Sequence, residues 1–370
     1  MKAYVLHGIN DIKFEDVNKP VPREKEVLLK VCAAGICGSD IPRIYKNGAH
    51  VHPIIPGHEF AGIVEAVGDS KNAALVGKRM GVFPLIPCME CEQCKAMQYE
   101  MCRKYNYLGS RCDGAFAEYV SVPVWNLIEL PDSVSYEEAA MLEPFSVAAH
   151  AMRAMIDDNT DRNSAVLVWG AGTIGIMLVM LLKSEGFSNV LCVANKMYQA
   201  DILNKKIGID ASDIFVLSGN QVLNGETGIE NGDKEKAKEW LASKTGSGAS
   251  LCFECVGKNE TLINIIECAA PSANIMLVGN PASDMSLSRD LYWKILRSQL
   301  TIKGTWNSSF TKEESDDWHY VLSKLSNNEM AAEDLAMTIE GLKGQLEVQK
   351  MMAKVEEARI AGEEALNAYP

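Results

Sequence analysis

Residues 166–175 read Val166-Leu167-Val168-Trp169-Gly170-Ala171-Gly172-Thr173-Ile174-Gly175, and the rest of the chain is best read outward from them. Four apolar residues in a row, ended by a glycine turn, predict a strand covered on both faces. Ile174 to Leu182 are apolar apart from Gly175 and predict the helix that follows. A bare G-x-G-x-x-G pattern says little. Between a buried strand and a helix it is a fingerprint for a pyrophosphate-containing dinucleotide. Gly170 permits the tight turn, Gly172 lets backbone N–H groups approach a pyrophosphate, and Gly175 lets the helix close onto the strand. Thr173 and Ile174 open that helix, whose N-terminus offers partial positive charge without a charged side chain. Gly170, Gly172, Thr173, Ile174 and Gly175 are therefore the expected cofactor-binding set, against the plainer reading of a structural turn.

Three further apolar strands follow, in NVLCVAN (189–195), SLCFECVG (250–257) and NIMLVGN (274–280), separated by helix-compatible sequence. Strands alternating with helices predict an α/β domain with a doubly wound parallel sheet. The second strand should end, about 20 residues past the glycine turn, in an Asp or Glu that holds the ribose hydroxyls of NAD. It ends instead in Ala194-Asn195-Lys196, and no carboxylate occurs between Val190 and Gln199. Without that carboxylate nothing repels the extra phosphate of NADP, and Lys196 attracts it. Asn195 and Lys196 thus join the expected cofactor residues, and NADP is expected to serve beside NAD or in preference to it. A solvated surface lysine is the alternative reading of Lys196.

Upstream, residues 1–150 contain short runs such as AYVL, EVLLKVCAAGIC, GIVEAVG, GKRMGVFPLI and AFAEYVSVP, with Gly and Pro between them. They predict a β-rich domain. Ser135 and Glu138 form a capping box at the head of a helix through SYEEAAMLEPFSVAAHAMRAM. Residues 218–238 read as a solvated loop, and from about 290 the chain is helical and polar again. The expected division is residues 1–150 with 291–370 in the β-rich domain and 151–290 in the dinucleotide domain. A length of 370 residues accommodates two or three domains, and no internal repeat is found. Thirty-six basic against forty-nine acidic residues give a net charge of −13, which opposes non-specific binding to nucleic acid or anionic lipid. No window reaches the roughly 18 apolar residues of a membrane span, and MKAYVLHGIN has no signal-peptide core. The expectation is a cytoplasmic protein with neither a nucleic-acid nor a membrane partner.

Eleven cysteines are an odd count for a secreted disulfide framework. Cys88, Cys91, Cys94 and Cys102 form C-x2-C-x2-C-x7-C, a spacing that closes a tetrahedral zinc site with no position left for substrate. A redox pair, a chance clump of thiols and an iron–sulfur cluster are the other readings. Cys32, Cys192, Cys252, Cys255 and Cys268 lie in apolar runs and read as small core residues; Cys112 is undecided. Cys37 differs. It lies in GICGSD, while His58 and Glu59 lie in GHEF and Glu143 in LEPF. Thiolate, imidazole and carboxylate are the mixed donors of a catalytic zinc that keeps an open position. Singly they read as a buried thiol, a satisfied histidine and a helix-end carboxylate.

In that order GICGSD, GHEFAGIVEAVG, the four-cysteine lobe, DGAFAEY and GAGTIG resemble the zinc-dependent medium-chain alcohol dehydrogenases, over roughly residues 1–310. Glu143 before Pro144, in place of a second cysteine, resembles the polyol branch. CGSDIPRIYKNGAH, YLGSRCDG, WKILR and KGTWNSS resemble its sugar-alcohol-phosphate group. The resemblance implies a β-rich GroES-like catalytic domain split around a Rossmann domain, a cleft between them, and a homodimer or homotetramer. It implies one catalytic zinc on Cys37, His58 and Glu143, with Glu59 as ligand or close partner, and one structural zinc. It implies hydride transfer between NAD(P) and a polyol or a sugar-alcohol phosphate such as galactitol 1-phosphate. Ser39 is the candidate for passing on the hydroxyl proton, its alternative being a turn cap. A phosphate needs cations; Arg43, Lys46 and Arg111, with nearby His50 and His52, are the substrate candidates, and Trp306 and Asn307 read either as a cover over the substrate or as packing residues. The competing functions are an unphosphorylated, sorbitol-type polyol dehydrogenase, a non-catalytic cofactor-binding regulatory module and, more remotely, a zinc-ribbon nucleic-acid binder. The final stretch, EVQKMMAKVEEARIAGEEALNAYP (347–370), departs from the family pattern and reads as helix.

Overall fold

Alternation along Val166–Trp169 sets the layering. A computed structural model of the chain describes residues 1–217, 229–281, 283–327 and 330. In it Val166 and Val168 face one apolar cluster while Leu167 and Trp169 face another, and all four are almost completely buried. That is the two-residue period of a strand with both faces covered. Each such side chain contributes about 1.5–3 kcal/mol by leaving water. Seven parallel strands form the sheet, in the spatial order Glu230–Gly232, Ile214–Leu217, Val190–Ala194, Val166–Trp169, Ala249–Glu254, Ala269–Leu277 and Thr301–Gly304. The order reverses between Val166–Trp169 and Ala249–Glu254, and at such a switch point ligands bind beyond the carboxyl ends of the strands.

Two expectations are corrected here. Thr301–Gly304 pairs with Ala269–Leu277, so the parallel sheet runs past residue 290, where the sequence reading ended it. The segment 218–238 is not loop throughout: Glu230–Gly232 is a strand, and Asp233 accepts from the Lys236 N–H to cap the helix Lys234–Thr245. Ala237, Trp240 and Leu241 line its buried face, a helical spacing hidden among lysines and glutamates. Residues 218–228 of that segment, and the expected terminal helix from 347, lie outside the described residues.

The β-rich part is a five-stranded antiparallel sheet in the order Tyr119–Pro123, Glu26–Gly35, Glu59–Val67, Arg79–Val82 and Leu127–Glu129. Val27, Leu29, Phe60, Val64, Met80 and Val120 fill its core. Cys32, expected inside, is exposed. The register slips between Val31 and Ala33, and such a bulge redirects the side chains around it. The expected long helix is two, Tyr136–Ala140 and Leu142–Arg153, broken at Met141, with the Ser135–Glu138 capping box in place. Helix Leu142–Arg153 lies along Thr173–Ser184 and Asp317–Ser326, and one apolar cluster runs from Phe83 and Leu85 through it to Val166 and Val168. No helix among the described residues is long and apolar enough to cross a membrane.

Candidate active site and metal centres

The hairpin Leu85–Ile86 with Asn106–Tyr107 closes the loop that carries the four cysteines. Cys91 precedes the short helix Glu92–Lys95, which holds Cys94, and the turn Tyr99–Met101 delivers Cys102. All four sulfurs lie within 4.8 Å of one another. Separations are 3.5 Å for Cys91–Cys94, 3.9 Å for Cys88–Cys94 and 4.0 Å for Cys91–Cys102. A tetrahedron with Zn–S of about 2.3 Å has edges of about 3.8 Å, so the thiols fit that ion. Tyr99 packs edge-on to Trp125 at 4.9 Å and ties the lobe to the domain.

The second cluster is assembled from distant elements. Cys37 follows strand Glu26–Gly35, His58 immediately precedes strand Glu59–Val67, and Glu143 sits in the first turn of helix Leu142–Arg153. Donor atoms of Cys37, His58 and Glu59 lie within 4.8 Å of one another. Gly35 makes room for this: a methyl there would overlap Glu59 Oε2 and sit 3.1 Å from its Cβ. Glu143 is not in that trio. Its Oε1 accepts from the Tyr107 hydroxyl at 3.1 Å, and the Tyr107 ring stands edge-on to His58 at 5.7 Å. The geometry thus groups Glu59 with Cys37 and His58, while Glu143, the other glutamate expected here, is held beside them by Tyr107.

Two residues that the sequence reading left without a role complete the pocket. Asp40 is fully buried, pairs with Arg43, accepts from the Cys37 N–H at 3.1 Å and lies 3.5 Å from His58 Nδ1. At 3.5 Å this is an ion-pair approach, not a good hydrogen bond, and Nδ1 has no other partner. A carboxylate facing one ring nitrogen leaves the other as the metal donor. The signal for Asp40 was its place in GICGSD; Tyr107, in YLGSRCDG, carried none beyond that resemblance.

Charge in the pocket is one-sided. Burial pushes Glu59 up to about 8, with Glu143 and Asp40 adding to it against the opposing pull of His58. Burial likewise raises Glu143, Tyr107 and the Cys37 thiol. For His58 burial works downward, yet Cys37 and Asp40 outweigh it and the imidazole stands well above its usual value. Buried acids that resist ionisation mark a site short of positive charge, and a divalent cation supplies it and reverses their preference. Thiolate, imidazole and carboxylate together suit zinc.

Ser39 Oγ donates to Cys37 Sγ at 3.3 Å, receives Arg43 Nη2 at 3.4 Å, and makes no cap bond. Arg43 is already committed to Asp40. His52 is a clip, with Nε2 accepting from the Ala49 N–H and Nδ1 facing the Leu6 carbonyl. Lys46 and His50 are exposed. Arg111 stacks on Tyr105 at 4.6 Å, and Tyr105 packs against Tyr107 at 6.2 Å. Trp306 is 53% exposed, and Asn307 Oδ1 accepts from the Ser308 N–H. Cys112 is partly buried, its thiol pushed up to about 11 by burial.

In the parallel sheet the glycine turn has the expected form. Gly170 has φ +109°, a region that favours glycine. A methyl on Gly175 would collide with the Gly170 carbonyl, whereas one on Gly172 would meet nothing within 4 Å. The open space at Gly172 is where a pyrophosphate would approach. Beside it lies a cavity of about 580 Å³ lined by Trp169, Gly170, Ala194, Asn195, Lys196 and Asn264, among others. Trp169 Nε1 and Asn264 Nδ2 are buried without an acceptor. Open backbone and unmet donors fit a dinucleotide.

Residues 23–132 match the alcohol dehydrogenase GroES-like domain, and residues 173–327 match the zinc-binding dehydrogenase domain. The chain belongs to the zinc-dependent medium-chain alcohol and polyol dehydrogenases, oxidoreductases of Rossmann and GroES-like architecture. It is 32% identical to galactitol 1-phosphate 5-dehydrogenase of Escherichia coli K12 over 321 residues, 87% of each chain. The crystal structure of galactitol-1-phosphate dehydrogenase from Escherichia coli superposes with a TM-score of 0.77 at 30% identity, covering 90% of both chains. Sorbitol dehydrogenase of Bacillus subtilis 168 is 32% identical over 291 residues, 77% of this chain and 76% of its own. An alcohol dehydrogenase from Escherichia coli CFT073, solved with NADH, has a TM-score of 0.74 at 27% identity over 90% of both chains.

Proposed function

We propose that this chain moves a hydride between a secondary alcohol carbon of a sugar-alcohol phosphate, of the galactitol 1-phosphate kind, and NAD or NADP, giving a ketose phosphate. The observation that carries the chemistry is the convergence of Cys37, His58 and Glu59 in a buried, anion-rich pocket. In this reading those residues hold one zinc, with Glu143 alongside, and Cys88, Cys91, Cys94 and Cys102 hold a second. When bound, the catalytic zinc acidifies the substrate hydroxyl and the nicotinamide carries the hydride.

The chain's own residues do the rest. Asp40 holds the His58 ring and the Cys37 backbone in place, and Arg43 balances its charge. Tyr107 fixes the Glu143 carboxyl by its hydroxyl. Ser39, a hydroxyl that both donates and accepts, is the proposed outlet for the substrate proton. Gly170, Gly172, Thr173, Ile174 and Gly175, with Asn195 and Lys196, seat the dinucleotide. For the phosphate, Arg111 is the favoured contact, because its aromatic stack leads to Tyr107; Lys46, Trp306 and Asn307 complete the proposed substrate side. The reading includes a homodimer or homotetramer, supported by the exposed Tyr292, Trp293 and Leu296 near the outer strand Thr301–Gly304.

The test is reduction of NAD and NADP by the zinc-replete enzyme offered galactitol 1-phosphate, galactitol and sorbitol side by side. A strong preference for the ester, reduced in Arg111→Ala through KM more than kcat, supports the proposal. Equal rates on free polyols refute the phosphate part and leave an unphosphorylated polyol dehydrogenase. That second reading is favoured by the commitment of Arg43 to Asp40 and of His52 to Ala49 and Leu6. Tight dinucleotide binding without turnover on any polyol would instead mark a regulatory module.

A further inference from the structure

Glu143 reaches the pocket on a backbone that has no room to adjust. It lies in the first turn of helix Leu142–Arg153, between Leu142 and Phe145, which are fully buried. Only its side chain can choose between partners. One is the Tyr107 hydroxyl, which donates to Oε1 at 3.1 Å and is the one hydrogen-bond donor to this carboxylate among the described residues. The other is the space between Cys37, His58 and Glu59, whose donor atoms gather within 4.8 Å of one another without it. Tyr107 is itself held on every side. Its carbonyl accepts from the N–H groups of Ser110, Arg111 and Cys112, and its N–H donates to Asn106 Oδ1. Its ring stands against His58 and Tyr105, and its strand pairs with Leu85–Ile86. A fixed donor thus holds a carboxylate that would otherwise be free to turn.

The geometry points to Tyr107 as a positioning residue that holds Glu143 off the catalytic metal and so keeps a coordination place open for the substrate hydroxyl. This rests on the zinc reading given above and adds a reason why two glutamates share one pocket. Three protein donors leave zinc a place for water or substrate, whereas four close it, as in the cysteine lobe. Glu143 is near enough to matter, because its charge raises both the Cys37 thiol and Glu59. Without the Tyr107 hydroxyl its buried carboxylate has no donor, and a buried anion without a partner turns to the nearest cation. Tyr107 acts through Glu143, not on the substrate.

The experiment compares the zinc-replete wild type with Tyr107→Phe, which keeps the ring and removes only the hydroxyl. Zinc release to a chelator is followed with no dinucleotide or polyol present. The pocket equivalent should leave about tenfold or more slowly in the variant. The four-cysteine equivalent should leave at its wild-type rate, which reports an intact fold. Tyr107→Phe/Glu143→Gln should restore wild-type release, since a neutral amide is a poor replacement for a carboxylate on zinc. With cobalt(II) exchanged into the pocket, the visible absorption bands should change in Tyr107→Phe and revert in the double variant. KM for whichever of galactitol 1-phosphate and sorbitol is turned over should rise about tenfold or more, with kcat less affected. Faster zinc release in Tyr107→Phe would make the hydroxyl an ordinary support of the donor set and overturn the inference. Unchanged release and unchanged bands, or a rise in KM with both unchanged, overturn it too and leave the zinc reading standing. A wild-type pocket that takes up no zinc removes both readings together.

Discussion

Gly35→Ala asks which glutamate serves the metal. The new methyl would overlap Glu59 Oε2 and press on Glu59 Cβ at 3.1 Å, where the optimal carbon–carbon separation is about 3.5–4.0 Å. Gly35 does not have a positive φ, so the backbone accepts alanine and the strain falls on the neighbour. Buried beside Cys37 and His58, Glu59 has little room, and its carboxylate must shift by several tenths of an ångström or more. Ligand distances tolerate only about 0.2 Å. Overpacking should lower stability by about 1–3 kcal/mol, and disturbing the donor set should weaken zinc about 10- to 100-fold, the range for lost support of a ligand. The assay is chelator competition monitored by released zinc. Two equivalents are expected in the wild type; in the variant one should become labile while the four-cysteine equivalent stays. Unchanged release of both, with unchanged turnover, would refute the assignment of Glu59 and leave Glu143 as the third donor.

Other consequences can be checked as directly. Gly172→Ala should leave stability within about 0.5 kcal/mol, since a methyl there meets nothing, yet weaken NADPH and NADH alike in a fluorescence titration. Gly175→Ala should instead lower Tm, because the methyl collides with the Gly170 carbonyl. Cys94→Ser should release one zinc and cost several kcal/mol of stability while dinucleotide affinity is kept, read by metal analysis and denaturant melts. His150 lies 2.8 Å from Asp317, and although burial lowers it, the Asp317 bond and charge raise its pKa above 6.5 on balance. The stability it adds is complete below about pH 6.5 and disappears as pH climbs through the raised value. His150→Gln should therefore flatten that part of the stability-against-pH curve; an unchanged slope would discount the pair.

Four strands of the parallel sheet, Val166–Trp169, Val190–Ala194, Ala249–Glu254 and Ala269–Leu277, could be read from sequence because both faces are covered, which writes each as an unbroken apolar run, while the short buried run Ile214–Leu217 was passed over. The edge elements could not. Thr301–Gly304 is largely exposed, so no apolar run announces it, and helix Lys234–Thr245 hides three buried residues among charges. Cys32 was misplaced because a bulge turns on pairing register, a property of two strands together. At the site, donor types and spacing pointed to Cys37, His58, Glu59 and Glu143 as a set. Their internal order was not legible, since Glu143 is held by Tyr107, which arrives from the cysteine hairpin.

Helix Leu142–Arg153 carries Glu143 in its first turn and is anchored at its far end by His150 and Arg153 to Asp317. Along its length it rides on Thr173–Ser184, the helix that begins at the glycine turn. Cys37, His58 and Glu59, by contrast, are rooted in the antiparallel sheet. Glu143 is nevertheless tied to both halves, to the nucleotide half through its helix and to the cysteine hairpin through Tyr107, so the helix acts as a strut that locks the pocket to the sheet carrying the glycine turn.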